Sequence, residues 1–189
     1  MNDMDQRIQG LAMFIMARHL TQVKFEVPGK PVSWARAGSN GSRRFTPPEQ
    51  AKYKDRLKNI ARKHCDHPHE GPVVLKVSAF FPIPKSWPKW KQHAATVGLI
   101  RPSSKPDVDN VLKMVMDALN EVAYKDDALI VNAEVCAWYQ KNPYVDVDVV
   151  RYPSITREIF DAIKDVIDRS DKSDPYQMMV DRVEAKLDV

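Results

Sequence analysis

The chain has 189 residues, with 29 Lys and Arg against 25 Asp and Glu, giving a formal net charge of +4 and a pI near 9.0. At 43% hydrophobic and 29% charged its composition is that of an ordinary globular protein, which excludes collagen-like, fully disordered and membrane-spanning chains. Two cysteines, Cys65 and Cys136, are too few for a disulfide framework and suit a reducing compartment.

Ile8, Leu11, Ala12 and Ile15 fall at helical spacing, so an amphipathic helix opens the chain. Its apolar run is short and Asp3 and Asp5 stand where a signal peptide would be basic, so the chain reads as cytoplasmic. Val23, Phe25 and Val27 alternate as a strand ending at Pro28-Gly29, and Lys30 to Phe45 reads as a Gly/Ser/Arg-rich loop. Thr46-Pro47-Pro48-Glu49 is a capping-box start for a helix running to about His64, with Tyr53, Leu57, Ile60 and Ala61 as its buried stripe. Pro72 to Phe81 is a strand that Pro82 and Pro84 end, and a long connection without clear periodicity follows to Pro106.

A helix over Asp109–Val122 buries Val111, Leu112, Val115, Ala118, Leu119 and Val122. Leu129–Tyr139 and Val145–Val149 alternate as strands, and the Lys141-Asn142-Pro143 turn between them predicts a hairpin. Pro153-Ser154 starts a helix with Ile159, Phe160, Ile163, Val166 and Ile167 on its apolar side. A last short helix after Asp174-Pro175 uses Met179, Val180, Val183 and Leu187. The order predicts an α/β fold, a single domain with a mixed sheet of about four strands and extra helices at both termini.

Charge is uneven along this order. Up to residue 105 there are 19 basic and 7 acidic residues; beyond it there are 10 and 18. A basic stretch joined to an acidic one suits a polyanion-binding protein with a carboxylate metal site, although chance asymmetry of a solvated surface gives the same totals.

The chemistry concentrates in Lys105-Pro106-Asp107-Val108-Asp109-Asn110, with Lys113 and Asp117 at the next helical turns and Asp126-Asp127 beyond. If Asp107-Val108-Asp109 is extended, both carboxylates point to one side, and Asp109 suits the N-cap of the helix. Adjacent carboxylates repel, and a hard divalent cation such as Mg²⁺, with Mn²⁺ able to substitute, removes that cost. Lys113 one turn on would meet charge developing on a phosphodiester.

This segment resembles the RusA-type Holliday junction resolvase family. Its signature is a Lys/Arg-Pro/Arg-Asp-X-Asp-Asn-X-X-Lys-X-X-X-Asp-Ala-Leu stretch and an Asp-Asp pair opening a strand. The resemblance extends upstream through Val27-Pro28-Gly29-Lys30-Pro31 and covers about residues 24–151, which implies a nuclease domain over 23–152 between helical extensions 1–22 and 153–189. It implies that Asp107, Asp109 and Asp127 are catalytic and hold Mg²⁺, with Asp126 the alternative third ligand, and that Lys113 is the essential basic residue. Asp117 matches the pattern either as partner of Lys113 or as a metal contact. Glu121 stands where the family often has Gly, and Leu129 where it often has Gln.

The resemblance implies a Mg²⁺-dependent endodeoxyribonuclease that resolves four-way junctions by paired symmetric nicks in recombination and repair, working as a homodimer. A branched-DNA-binding accessory protein that does not cut is the reading from another class. Lys30, Arg36, Arg43, Arg44 and Lys105 are the candidate DNA contacts. Trp87, Lys89, Trp90 and Lys91 interleave aromatics with cations, a pattern that fits base stacking and core packing equally. His64-Cys65-Asp66-His67-Pro68-His69 fits no standard zinc spacing and reads as a polar helix end.

Overall fold

A computed structural model describes residues 3–35, 38–40, 43–45, 47–103, 107–170 and 174–187; for 38–40, 43–45 and 187 it describes the backbone alone. The elements in chain order are α1 (Asp3–Arg18), β1 (Thr21–Pro28), β2 (Gly38–Asn40), β3 (Arg43–Phe45), α2 (Pro48–Ala61), β4 (Val73–Pro82), α3 (Lys89–Thr96) and α4 (Val108–Leu119). A 3-10 turn (Asp127–Leu129), β5 (Ile130–Gln140), β6 (Tyr144–Arg151), α5 (Arg157–Arg169) and α6 (Tyr176–Leu187) complete them. The expected α/β fold, with a four-stranded mixed sheet and helices at both ends, is what the chain forms.

Two compact units divide it: residues 22–151, and residues 1–21 with 152–189. In the first, the sheet order is β1-β6-β4-β5. β4 alternates buried and less buried residues, with Val73, Leu75, Val77, Ala79 and Phe81 turned to the core. These meet Tyr53 and Leu57 of α2, the apolar face of α4, and Val145, Val147 and Val149 of β6. The other face of β4 and its neighbours carries polar pairs, such as Lys76 with Glu134 and Gln22 with Asp148.

The predicted hairpin does not form. β5 pairs parallel with β4 from Val73↔Ile130 to Pro82↔Gln140, while β6 pairs antiparallel with β4 from Val73↔Arg151 to Phe80↔Tyr144. β4 therefore lies between the two strands that the short connection joins. The three residues Lys141, Asn142 and Pro143 can span the ~9.6 Å between strands two apart, since an extended chain reaches about 3.3–3.6 Å per residue. None of the three adopts the positive φ of a tight hairpin turn, and the Pro143 carbonyl accepts a hydrogen bond from the Gly29 N–H at the end of β1. β4, α4 and β5 make a parallel strand–helix–strand crossover, whose register is set by burial of the α4 stripe.

Three further differences are local. The loop after β1 contains the short antiparallel pair β2–β3. α2 begins at Pro48 with Pro47 in the N-cap position; the expected cap Thr46 lies outside the described residues. The long connection after β4 contains α3, ended by a Schellman motif in which Leu99 N–H bonds Ala94 O and Gly98 N–H bonds Ala95 O. Gly98 has φ +81°, a conformation that a side chain would strain, and a Cβ there would press on Trp138.

The other unit is a helical cluster. Leu11 and Ile15 of α1, Ile163, Val166 and Ile167 of α5, and Met179, Val180 and Val183 of α6 form one core, so the two ends of the chain share a single apolar centre. α5 starts later than Pro153-Ser154 suggested, because Thr156 accepts the Ile159 N–H as its N-cap. Phe160, expected on the apolar side, is largely exposed. No helix among the described residues is long and apolar enough to cross a membrane.

Candidate metal and DNA site

α4 carries the site. Val111, Met114, Val115, Ala118 and Leu119 are buried, each contributing about 1.5–3 kcal/mol if a large apolar side chain, so the helix's opposite face is held toward solvent. Asp109, Lys113 and Asp117 lie on that face at successive turns. The helix starts at Val108 with Asp107, not Asp109, at the N-cap position, which corrects the extended Asp-Val-Asp expectation. Residues two apart across a helix start do not face each other, so the two carboxylates are not aligned by period two.

Lys113 Nζ sits 4.0 Å from Asp117 Oδ1 and 5.1 Å from the centroid of the Trp34 ring. Trp34 is brought there because its N–H donates to the Asn110 carbonyl at 2.8 Å, tying the segment after β1 to the first turn of α4. Gly29, with φ +100°, makes the turn that opens this segment and sets exposed Lys30 on it. Lys30 also lines a pocket with Ser33, Glu49 and Gln50 at the start of α2.

The far end of α4 is locked by Tyr124, fully buried, whose hydroxyl donates to the Met116 carbonyl at 3.1 Å. Burial pushes its phenol well above the ordinary tyrosine range, and the nearby carboxylates of Asp127 and Asp117 push it further. Asp117 on α4 and Asp127 after it thus act on one buried hydroxyl. Asp126 is otherwise engaged: its Oδ1 accepts the Ala128 N–H at 2.8 Å and caps the 3-10 turn. Glu121, in the connection between, adopts φ +60°, the left-handed region that glycine occupies freely.

Among the described residues, Asp107, Asp109 and Asp127 have no basic partner, whereas Asp117 faces Lys113 and Asp126 is a cap. No group of three or more His, Cys, Asp or Glu side chains among the described residues is gathered closely enough to share an ion. Carboxylate oxygen is the donor type that hard divalent cations take. Arg36 and Lys105 lie outside the described residues, and Arg43 and Arg44 fall on β3, where only the backbone is described.

Periodicity did not disclose α3 or the setting of its aromatics. Trp87 packs edge-on against Tyr139 of β5, with Lys91 Nζ 4.1 Å from its ring centroid. Arg101 lies over Trp138, 3.0 Å from the ring centroid, and donates from Nε to the Ala137 carbonyl. The segment thereby straddles β5, an edge strand, and covers part of its open side. The Trp-Pro and Gly signals at Trp87-Pro88 and Gly98 bracket α3 and were its only local mark.

Residues 28–150 match the model of the family described as Endodeoxyribonuclease RusA. The chain is also 41% identical over 132 residues to an uncharacterized protein, YqaN, of Bacillus subtilis strain 168, covering 66% of this chain and 93% of that protein. The matched family segment contains α4, the 3-10 turn and the segment from Gly29 to Trp34 that packs on α4.

Proposed function

This chain belongs to the endodeoxyribonuclease RusA family, and on that footing we propose that it is a Mg²⁺-dependent, structure-selective endonuclease that resolves four-way DNA junctions by paired symmetric nicks. The family match across the whole α4 site is the observation that carries the reading. The local pairing supports it in detail: Asp107, Asp109 and Asp127 have neither a basic partner nor a capping role among the described residues, and these would hold the ion. Asp127 is favoured over Asp126 because the Asp126 carboxylate already caps the 3-10 turn.

A bound Mg²⁺ would supply Lewis-acid polarisation of the scissile phosphate and a water of lowered pKa. Lys113 does the rest of the charge work. Its contact with Asp117 is long and half-exposed, a kind of pair worth about 0–1 kcal/mol, so the ammonium can leave it for a phosphate oxygen. Asp117 and Trp34 then act as positioning residues that hold the lysine on the site's face. Lys30, Arg36, Arg43, Arg44 and Lys105 bind phosphates of the junction arms, which sets affinity and its salt dependence. Paired cuts require two sites related by a two-fold axis, hence a homodimer acting on DNA in the cytoplasm.

A synthetic four-way junction tests the reading. Paired nicks are expected with Mg²⁺ or Mn²⁺, and none with EDTA or with Asp109→Asn. Equal cutting of linear duplex would make the protein a general nuclease. Junction binding without nicking under any divalent ion would make it an accessory protein.

A further inference from the structure

The chain has four tryptophans, and the structure gives three of them a cationic neighbour: Trp34 has Lys113, Trp87 has Lys91 and Trp138 has Arg101. Trp90 differs. It is 69% exposed, and no ring, cation or hydrogen-bond partner meets it among the described residues. It stands on α3 in line with His93 and Val97, also exposed, while Ala95 on the other side is buried. Its indole faces are open to solvent.

The helix is firmly mounted. Its start is fixed by Gln92 Nε2 donating to the Trp87 carbonyl and by Trp87 against Tyr139. Its end is fixed by the Gly98 motif and by Arg101 on Trp138. Trp90 is therefore presented on a rigid mount, which keeps the ordering cost of a contact low.

Charge decides the occupant. From residue 71 to 106 the sequence has no Asp or Glu but carries Lys76, Lys85, Lys89, Lys91, Arg101 and Lys105, and it leads directly into Asp107. An apolar protein partner has no need of this bias, whereas a nucleic acid strand does: cations track its backbone and an aromatic face takes its bases. We infer that α3 is a DNA-recognition element in which Trp90 stacks on the exposed face of an unstacked base at the branch point, flanked by phosphate contacts from Lys89 and Lys91. The inference rests on the nuclease reading above and supplies what selects branched over continuous DNA, because in a continuous duplex each base is covered by its stacked neighbours and leaves no face for the indole.

The experiment uses the full chain in EDTA, with a four-way junction carrying 2-aminopurine at the branch nucleotides and a matched linear duplex. Trp90→Ala is expected to weaken junction binding about tenfold to hundredfold, as base–aromatic stacking of ~1–3 kcal/mol implies. Trp90→Phe is expected to recover most of that loss, duplex affinity to stay within about twofold, and the wild-type protein alone to quench 2-aminopurine. The exposed position makes misfolding a minor concern, and a circular dichroism melt of each variant checks it. Unchanged junction binding by Trp90→Ala, or an equal loss on junction and duplex, overturns the inference while leaving a nicking wild type intact. A changed sedimentation coefficient of Trp90→Ala without DNA would assign the surface to self-association instead. A wild type that binds no DNA would remove the nuclease reading and this one together.

Discussion

The two compact units handle charge and apolar surface differently. The sheet unit, residues 22–151, has 21 basic and 14 acidic residues, whereas the helical unit, residues 1–21 with 152–189, has 8 and 11. In the helical unit the charges pair with each other: Arg18 with Asp181 and Glu184, His19 with Glu184, Arg182 with Asp174. The sheet unit has ion pairs too, such as Lys76 with Glu134 and Lys125 with Glu70. Yet Asp107 and Asp109 at the start of α4 and Asp127 in the 3-10 turn lack basic partners among the described residues, and a run of cations precedes them in the sequence. An excess of cations on one stretch of chain suits it to meet an outside negative charge. The family match, residues 28–150, falls wholly within the sheet unit, which carries that excess.

The sharpest break in this comparison is chemical. Lys113→Ala is expected to lower junction nicking roughly 100- to 1,000-fold, the usual effect of removing a donor to developing charge, with little change in thermal midpoint. Nicking at fixed junction concentration and a thermal melt measure the two; a fall confined to the melt would make Lys113 structural.

Next in size is a cavity in the helical core. Ile163 is almost fully buried there, so Ile163→Ala should cost about 2–4 kcal/mol in urea denaturation. Its nicking rate per folded molecule should stay near wild type. If it falls as far as that of Lys113→Ala, the division of labour between the units is wrong.

The alkaline limb of stability belongs to the sheet unit. Burial pushes the Tyr53 phenol up to about 12, and its hydroxyl has no hydrogen-bond partner among the described residues. The neutral form is favoured when folded, so this stability is fully present below pH 10 and is lost as pH rises towards 12. Tyr53→Phe should remove up to roughly 2 kcal/mol of that alkaline loss while leaving stability at pH 7 almost unchanged, as denaturation at both pH values would show. An unaltered alkaline limb would place its origin elsewhere, with Tyr124 the next group to examine.

The smallest effect sharpens the turn after α4. Glu121→Gly relieves a left-handed backbone that costs a side-chain-bearing residue about 1–2 kcal/mol, offset by ~0.5–1 kcal/mol of unfolded-chain entropy. A gain below about 1 kcal/mol is expected, and a loss would mean that the Glu121 side chain stabilises the connection.

Local patterns foretold α1, α2, α4, α5 and α6, the strands β1, β4, β5 and β6, and the position of the acidic motif. Apolar spacing and capping residues act over a few positions, so they are written where they act. Glu121, where the resembled pattern often has glycine, sits at a positive φ that no local pattern announced. The sequence by itself therefore determined most of the helices and strands, though not α3, β2 or β3, and where the acidic motif falls in the chain. It left undecided that β4 would part β5 from β6, that α4 would begin at Val108, and that Trp90, alone of the four tryptophans, would have no ring, cation or hydrogen-bond partner among the described residues. Those outcomes depend on pairing and burial between residues far apart in the chain, where many arrangements satisfy the same local pattern and only the packed core chooses among them.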